Sequence, residues 1–310
     1  MALSLRKSSS TGGVGLDIDG RYVAAAQVDG GRVVRVASKA LRHGLVTDGE
    51  VVNRDELADA LRSFVQEAGL PKSVRLGVAN QQIVVRVIEL PHIQDEKQRD
   101  AAVRFQAADA IAMPLDEAVL DHQIAGYMEA PDGAPRMQVV VVAARRSMIE
   151  GLLEAAKKAG LKPEGVDLDA FALVRVLAAA TQNDADAGAR VFCHLAGVSN
   201  LAIAVGTNCF FTRPLAAVWD DPDAASRLAD EVRLSIDYYM TQPQAKPVGE
   251  VVVSGPGSSD EALVDSLGVH LGLPTTVAAP LGLLDPAGVA GGEDPHRYTV
   301  AAGLAMGAAA

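Results

Sequence analysis

The sequence predicts an α/β fold of two duplicated lobes, with a small α+β module set into the first lobe. Three observations predict it. The order strand, strand, strand, helix, strand occurs twice, once from residue 14 and once from residue 191. Between the two copies, residues 80–159 carry a strand–helix–strand–strand–helix run of their own. Residues 182–189 are polar and small, as expected of a boundary between lobes.

In the first copy, residues 14–18 are apolar and run into Asp19-Gly20. Residues 22–28 and 33–40 are β-rich and joined by Asp29-Gly30-Gly31, a hairpin signal. Asn53 and Glu56 fit an N-cap and its N3 partner. Leu57, Leu61, Phe64, Val65 and Ala68 then step at helical spacing until Gly69 and Pro71. Residues 74–79 form the next strand. In the module, residues 83–90 read as a strand ended by Pro91. Asp95 and Gln98 cap a helix with Ala101, Phe105, Ala108 and Ala112 on one face. Residues 118–127 and 137–144 are strands about a turn at 130–133, and 148–158 is a helix. Residues 162–168 return as a strand and 169–180 as a helix.

The second copy has strands at 191–195, 201–205 and 209–215. A helix over 222–240 takes Asp221 as N-cap and Pro222 at N1. Strand 251–253 and helices 260–267 and 298–306 follow. The expected organisation is a flexible tail at 1–13, a first lobe at 14–79 and 160–181, the module at 80–159 and a second lobe at 190–310.

Composition narrows the function. The 310 residues suit about two domains. With 28 basic and 39 acidic residues, the net charge of −11 argues against a nucleic-acid backbone binder and against polybasic membrane docking. Hydrophobic residues make up 49%, which excludes a disordered chain, and aromatics only 4%, so Ala, Val and Leu must fill the core. No uncharged apolar run reaches the roughly 18 residues a membrane span needs. The first 13 residues lack the apolar centre of a secretory signal. Cys193 and Cys209 give neither a disulfide framework nor metal-ligand spacing, so a reducing cytoplasm is the expected compartment.

Three glycine turns carry the chemistry. They are Leu16-Asp17-Ile18-Asp19-Gly20-Arg21, Cys193-His194-Leu195-Ala196-Gly197-Val198-Ser199-Asn200 and Val252-Val253-Ser254-Gly255-Pro256-Gly257-Ser258-Ser259. Such turns can aim several N–H groups into one concavity that binds an anion. The third precedes a helix N-terminus, which favours negative charge. Each alone is an ordinary strand turn, and none has phosphate-loop or dinucleotide spacing. Their positions, one heading each lobe and one late in the second, suit a nucleotide cleft between lobes. Asp17 is either a metal-side carboxylate or a turn-capping residue. His194 is read as a strand residue satisfied by hydrogen bonds, and Ser235 as bonded to its own backbone. Tyr238 and Tyr239 are read as a pair of core and rim aromatics, Asp220 and Asp221 as solvated loop charges, and both cysteines as buried free thiols.

The run Val14-Gly15-Leu16-Asp17-Ile18-Asp19-Gly20 followed by residues 23–28 resembles the first phosphate segment of the actin-like ATPase superfamily. Val85-Arg86-Val87-Ile88-Glu89-Leu90-Pro91, Ala101-Ala102-Val103-Arg104-Phe105-Gln106-Ala107 and Val141-Val142-Ala143-Ala144-Arg145 narrow this to the type IV pilus assembly PilM family. So do Pro114-Leu115-Asp116-Glu117-Ala118-Val119-Leu120-Asp121, the most specific segment, and Glu231-Val232-Arg233-Leu234-Ser235-Ile236-Asp237-Tyr238-Tyr239.

The resemblance implies an actin-like (ribonuclease H-like) fold and a cytoplasmic scaffold at the inner face of the membrane. It implies a partner, the N-terminal tail of a PilN-like bitopic membrane protein docked beside the module, and links to the pilus motor and platform. It also implies ATP and Mg²⁺ between the lobes. The residues it would place there are Asp17 (also on the metal), Asp19, Gly20, Arg21, Gly197, Ser199, Asn200, Gly255, Gly257 and Ser258, with Glu231, Arg233 and Ser235 facing the nucleoside.

This sequence departs from that family at the turns. His194 stands where the family has Asp, and imidazole offers no hard oxygen to Mg²⁺. Ala196 replaces a Gly, and Asp19 puts a carboxylate where a polyphosphate is expected, with Arg21 near enough in sequence to offset it. Ser254 and Pro256 stand where glycines are usual, and Pro256 has no N–H. Residues 215–222 leave no room for the family's extra second-lobe subdomain, so relative to the family a shortened second lobe is expected. Weak or absent ATPase activity is therefore expected. The competing readings are an active ATPase or sugar-type kinase of the same fold, and a filament-forming protein like FtsA. Against the last, residues 301–310 carry no basic amphipathic face.

Overall fold

Gly30 and Gly31 both have positive φ, which closes the two-residue loop of the first hairpin. That hairpin starts the first of two five-stranded sheets in the computed structural model, which describes residues 13–130, 132–180, 188–278 and 294–307. The first lobe runs β1 (Val14–Ile18), β2 (Tyr22–Asp29), β3 (Arg32–Ala40), a small hairpin of β4 (Val46–Thr47) and β5 (Glu50–Val51), α1 (Arg54–Glu67) and β6 (Ser73–Val78). Asn53 caps α1 by accepting from Glu56 N. The chain then makes β7 (Val84–Pro91), α2 (Glu96–Ala110), β8 (Ala118–Glu129) and β9 (Pro135–Arg145), followed by α3 (Arg146–Lys158), β10 (Lys162–Leu168) and α4 (Asp169–Ala180). The second lobe runs β11 (Ala189–His194), β12 (Asn200–Val205), β13 (Asn208–Pro214), α5 (Ala224–Met240), β14 (Val248–Ser254), α6 (Glu261–Leu271), β15 (Thr275–Val277) and α7 (Thr299–Gly307).

The sheet orders are β10-β6-β1-β2-β3 and β13-β12-β11-β14-β15. In each, the first strand of the copy pairs antiparallel with its second and parallel with its fourth. The third strand is antiparallel and the fifth parallel in both. The repeated order read in the sequence is thus a repeated topology.

Two helices fall outside the boundaries expected for the lobes. α3 packs on α1, with Met148, Leu152 and Leu153 in one core with Leu57, Leu61 and Phe64. It leads into the fifth strand of its sheet as α6 does in the second lobe, so it packs as part of the first lobe and not of the module expected at 80–159. α7 lies against β1 and β2 and not on the second sheet, while α4 leans on β12 and β13. The two lobes have in effect exchanged their last helices. Between them, Ala172, Leu173, Ala301 and Leu304 pack with Phe192 and Ala202 in a core of small side chains. Residues 1–12 of the tail expected at 1–13, and 182–187 of the lobe boundary expected at 182–189, lie outside the described residues.

The separate sheet has the order β7-β9-β8, all antiparallel. α2 covers one face through Val103 and Ala107, against Ile88, Val139 and Val141. The expected stripe through Phe105 is wrong: Phe105 is 78% exposed, because the i,i+4 pair Val103/Ala107 is the one turned to the sheet. The other face, with Val85, Val140 and Val142, joins the first-lobe core. α5 begins two residues later than expected, after Asp223, and Asp221 is ion-paired with Arg227 at 2.9 Å. No described helix is long and apolar enough to cross a membrane.

Candidate functional site

β1, β6 and β10 run parallel, so their C-terminal ends meet at one edge. That edge gathers Asp17 and Asp19 from the end of β1 and Asp167 and Asp169 from the junction of β10 with α4. Asp17 is buried and Asp169 partly so, and the buried atoms Asp17 Oδ2 and Asp169 Oδ1 have no hydrogen-bond partner. Burial, then the charges of Asp169 and Asp19, pushes the Asp17 carboxyl well above the usual range. Burial, then Asp167 and Asp19, pushes Asp169 up to about 8. Asp167 is paired with Arg175 at 2.8 Å. Among the described residues, no group of three or more His, Cys, Asp or Glu is placed to hold a metal ion.

The first turn is capped by Asp19 and not by Asp17. Asp19 Oδ1 accepts from Arg21 N at 2.8 Å and Tyr22 N at 2.9 Å, while Oδ2 accepts from Gly197 N of the second turn at 2.7 Å. A Cβ on Gly197 would stand 2.5 Å from Asp19 O, so only glycine permits this approach. The Arg21 side chain does not turn to Asp19. It makes a two-pronged ion pair with Asp220, at 3.0 and 3.1 Å, and lies 5.7 Å from the Trp219 ring centre. Asp220 and Asp221, expected as solvated loop charges, are nearly half exposed and each also makes a salt bridge.

In the second turn, Ser199 Oγ donates to Ala196 O at 3.5 Å, and Asn200 Oδ1 accepts from Thr212 at 3.2 Å. His194 is buried; its Nδ1 bonds Ser254 Oγ at 3.0 Å, but Nε2 has no partner. It is thus only half satisfied. Burial, then the charge of His296, pulls it down to about 3. The neutral ring is the folded form, so below about pH 6.5 the unfolded chain gains a proton that the fold refuses. Stability should fall there by about 1.4 kcal/mol per pH unit. His194→Asn, compared with wild type by urea unfolding, should be better by roughly 2.5 kcal/mol at pH 4.5 than at pH 7. Equal differences at the two pH values would contradict this origin.

In the third turn, Gly257 N donates to Leu195 O at 3.0 Å and Ser258 N to Gly255 O at 2.9 Å. A 3₁₀ turn at Pro256–Ser259 separates the glycines from α6, whose own N-cap, Asp260, accepts from Leu263 N. On α5, Glu231 accepts from Arg213 at 2.8 Å and from the N–H groups of Ala216 and Ala217. Arg233 is on the exposed side, 3.5 Å from Asp230. Ser235 donates to Glu231 O at 2.7 Å, the backbone bond expected of it. Tyr239 is in the core and Tyr238 at the rim, and both cysteines are free and buried, as expected. The structure therefore joins the first two turns at Asp19 and Gly197, leaves Gly20 with its positive φ against Val46 of the small hairpin, and ties the α5 residues into separate contacts.

The space beside Asp19 and Asp169 is about 20 Å³, room for a single water. A larger cavity of about 390 Å³ lies between the three-stranded sheet and the lobes, lined by Gln123, Ala125, Val140, Phe171, Arg175 and Asn208. Arg175 also donates to Gly303 O of α7 at 2.8 Å, which fixes that wall.

Residues 15–213 match the family model of the type IV pilus assembly protein PilM. The chain belongs to the PilM family. A solved structure described as the PilM-PilN type IV pilus biogenesis complex is 24% identical with a TM-score of 0.81, over 97% of this chain and 99% of that one. The ethanolamine utilization protein EutJ of Carboxydothermus hydrogenoformans is 13% identical with a TM-score of 0.53, over 97% and 91%. MreB5 of Spiroplasma citri, described as bound to ADP, is 11% identical with a TM-score of 0.50, over 94% of each chain. The fold is thus the actin-like, ribonuclease H-like one with duplicated lobes.

For this PilM-family chain, reasoning from sequence missed Asp167 and Asp169. A signal was there: Asp167-Leu168-Asp169 repeats the Asp-x-Asp of Asp17-Ile18-Asp19, and both close a buried strand.

Proposed function

We propose that this chain is a docking scaffold of a pilus-type machine, and that its interlobe cleft is not built for Mg·ATP. The observation that carries the reading is the bond from Gly197 N to Asp19 Oδ2, which fills the meeting point of the first two turns with a carboxylate of the chain itself. The residues present do not fit a metal-bound triphosphate. The space beside Asp19 and Asp169 is about 20 Å³, and the Gly257 and Ser258 N–H groups of the third turn are spent on carbonyls. On this reading the three-stranded sheet is a module inserted into an actin-like lobe, and the second lobe is shortened at residues 215–222.

The partner we propose is the cytoplasmic tail of a PilN-like single-span membrane protein, which would hold the scaffold at the inner membrane face. The similar solved structure described as the PilM-PilN type IV pilus biogenesis complex supports this choice. The tail would enter the 390 Å³ cavity beside the module, where Gln123 and Ala125 of β8 face Phe171 and Arg175 of α4. Co-expression of the full chain with such a tail fused to a carrier should give co-elution. Gln123→Trp, which fills the cavity from its half-open side, should weaken binding at least tenfold, or about 1.4 kcal/mol. ATP turnover with Mg²⁺ that is lost in Asp17→Ala, without tail binding, would favour the ATPase reading instead.

A further inference from the structure

We infer that the Asp19 carboxylate is a built-in anion that latches the two lobes together, doing without a ligand what a phosphate bridging the same turns would do. This rests on the reading of the cleft above and adds how its closed state is held. The three N–H groups that Asp19 accepts come from both sides of the cleft: Arg21 and Tyr22 from the first lobe, Gly197 from the second. Two N–H groups on one oxygen and one on the other is the arrangement an anion takes in a backbone nest. Here the anion is covalently part of the chain, so it has no association entropy to overcome.

The latch is wider than one bond. Two residues on, Arg21 reaches across to Asp220 with both guanidinium prongs and covers Trp219. Trp219 in turn packs on the third turn, where a Cβ on Gly257 would stand 2.8 Å from the indole. On the other side, Arg297 lies 5.0 Å from the ring centre of Tyr22, whose N–H Asp19 holds. Asp19 and Arg21 thus reach the second turn, the 215–223 loop and, through Trp219, the third turn. Asp19 is 7% exposed, so water competes poorly for these bonds. The ion pair of Arg21 is half exposed and is the weaker half of the latch.

Removing the carboxylate should free the nest for an anion from solution. In the full-length Asp19→Gly chain, hydrogen exchange at the Gly197 amide should speed up at least tenfold. Inorganic diphosphate should then slow it again and raise the unfolding midpoint. In wild type, diphosphate should change neither. Asp19→Asn, which keeps the shape but not the charge, gives the same comparison if the glycine variant does not fold; its Gly197 exchange should lie between the other two. Unchanged Gly197 exchange in both variants would overturn the latch. So would diphosphate stabilising wild type as much as the variants. Tail binding is read separately: its loss with the exchange results intact defeats the scaffold reading and leaves the latch standing.

Discussion

Gly303→Ala is expected to destabilise the protein by roughly 3 kcal/mol, one of the largest effects of any single methyl group in this chain. The Cβ would sit 2.0 Å from the carbonyl oxygen of Ala172 and 2.5 Å from its carbon. Both are backbone atoms of α4, so no side chain can swing aside. α7 would have to move off α4, but its other side is held against β1 and β2. The Arg175 bond to Gly303 O would be stretched as well. An expected fall in the unfolding midpoint of about 5–10 °C follows for a chain of this size. Gly126→Ala in β8 is the control, because a Cβ there meets nothing within 4 Å and the change should stay within about 0.5 kcal/mol. Equal effects at the two positions would show that α4 and α7 do not touch as described.

Asp169→Asn should stabilise the protein at pH 8 and not at pH 4.5. The folded carboxyl titrates at about 8, above its ordinary value, because burial and the charges of Asp167 and Asp19 resist ionisation. The fold therefore keeps a proton that the unfolded chain has given up. Stability from this group is complete below about pH 4 and is lost progressively as pH rises through about 8. At about 1.4 kcal/mol per pH unit, the full loss is on the order of 5 kcal/mol. Asparagine does not ionise, but its amide must find partners where Asp169 Oδ1 has none, at a cost of about 1–3 kcal/mol. The net gain at pH 8 should be about 2–4 kcal/mol, and near zero or negative at pH 4.5. Urea unfolding at both pH values reads it; a variant less stable than wild type at both would remove the strained acid from the account.

The helices and strands were legible because their ends carry local chemistry. Asn53, Asp95 and the Asp29-Gly30-Gly31 turn each act within four residues, and each is found where the sequence puts it. The repeat was legible for the same reason. The destinations of α3 and α7 were not, since an apolar helix reads alike whichever sheet it covers. Phe105 misled because aromatic size outweighed phase: the narrow Val103/Ala107 pair meets the sheet closely, and the larger ring is left outside. At the site, the first and second turns were seen, yet their junction was not. The bond between Asp19 and Gly197 joins residues 178 apart, and no local pattern records such a meeting. Glu231 and Arg233 share a helix with Ser235, but their partners come from the 213–217 segment and from solvent-side Asp230, which spacing alone does not reveal.

The exchanged last helices set a schedule for biosynthesis. When β10 leaves the ribosome, the face of β1 and β2 that α7 covers has no cover yet, and α7 lies about 130 residues downstream. At ordinary elongation rates that interval is on the order of ten seconds. Throughout it the nascent chain presents an uncovered alanine- and valine-lined surface, so cellular yield should depend on a chaperone that shields it until translation is nearly done.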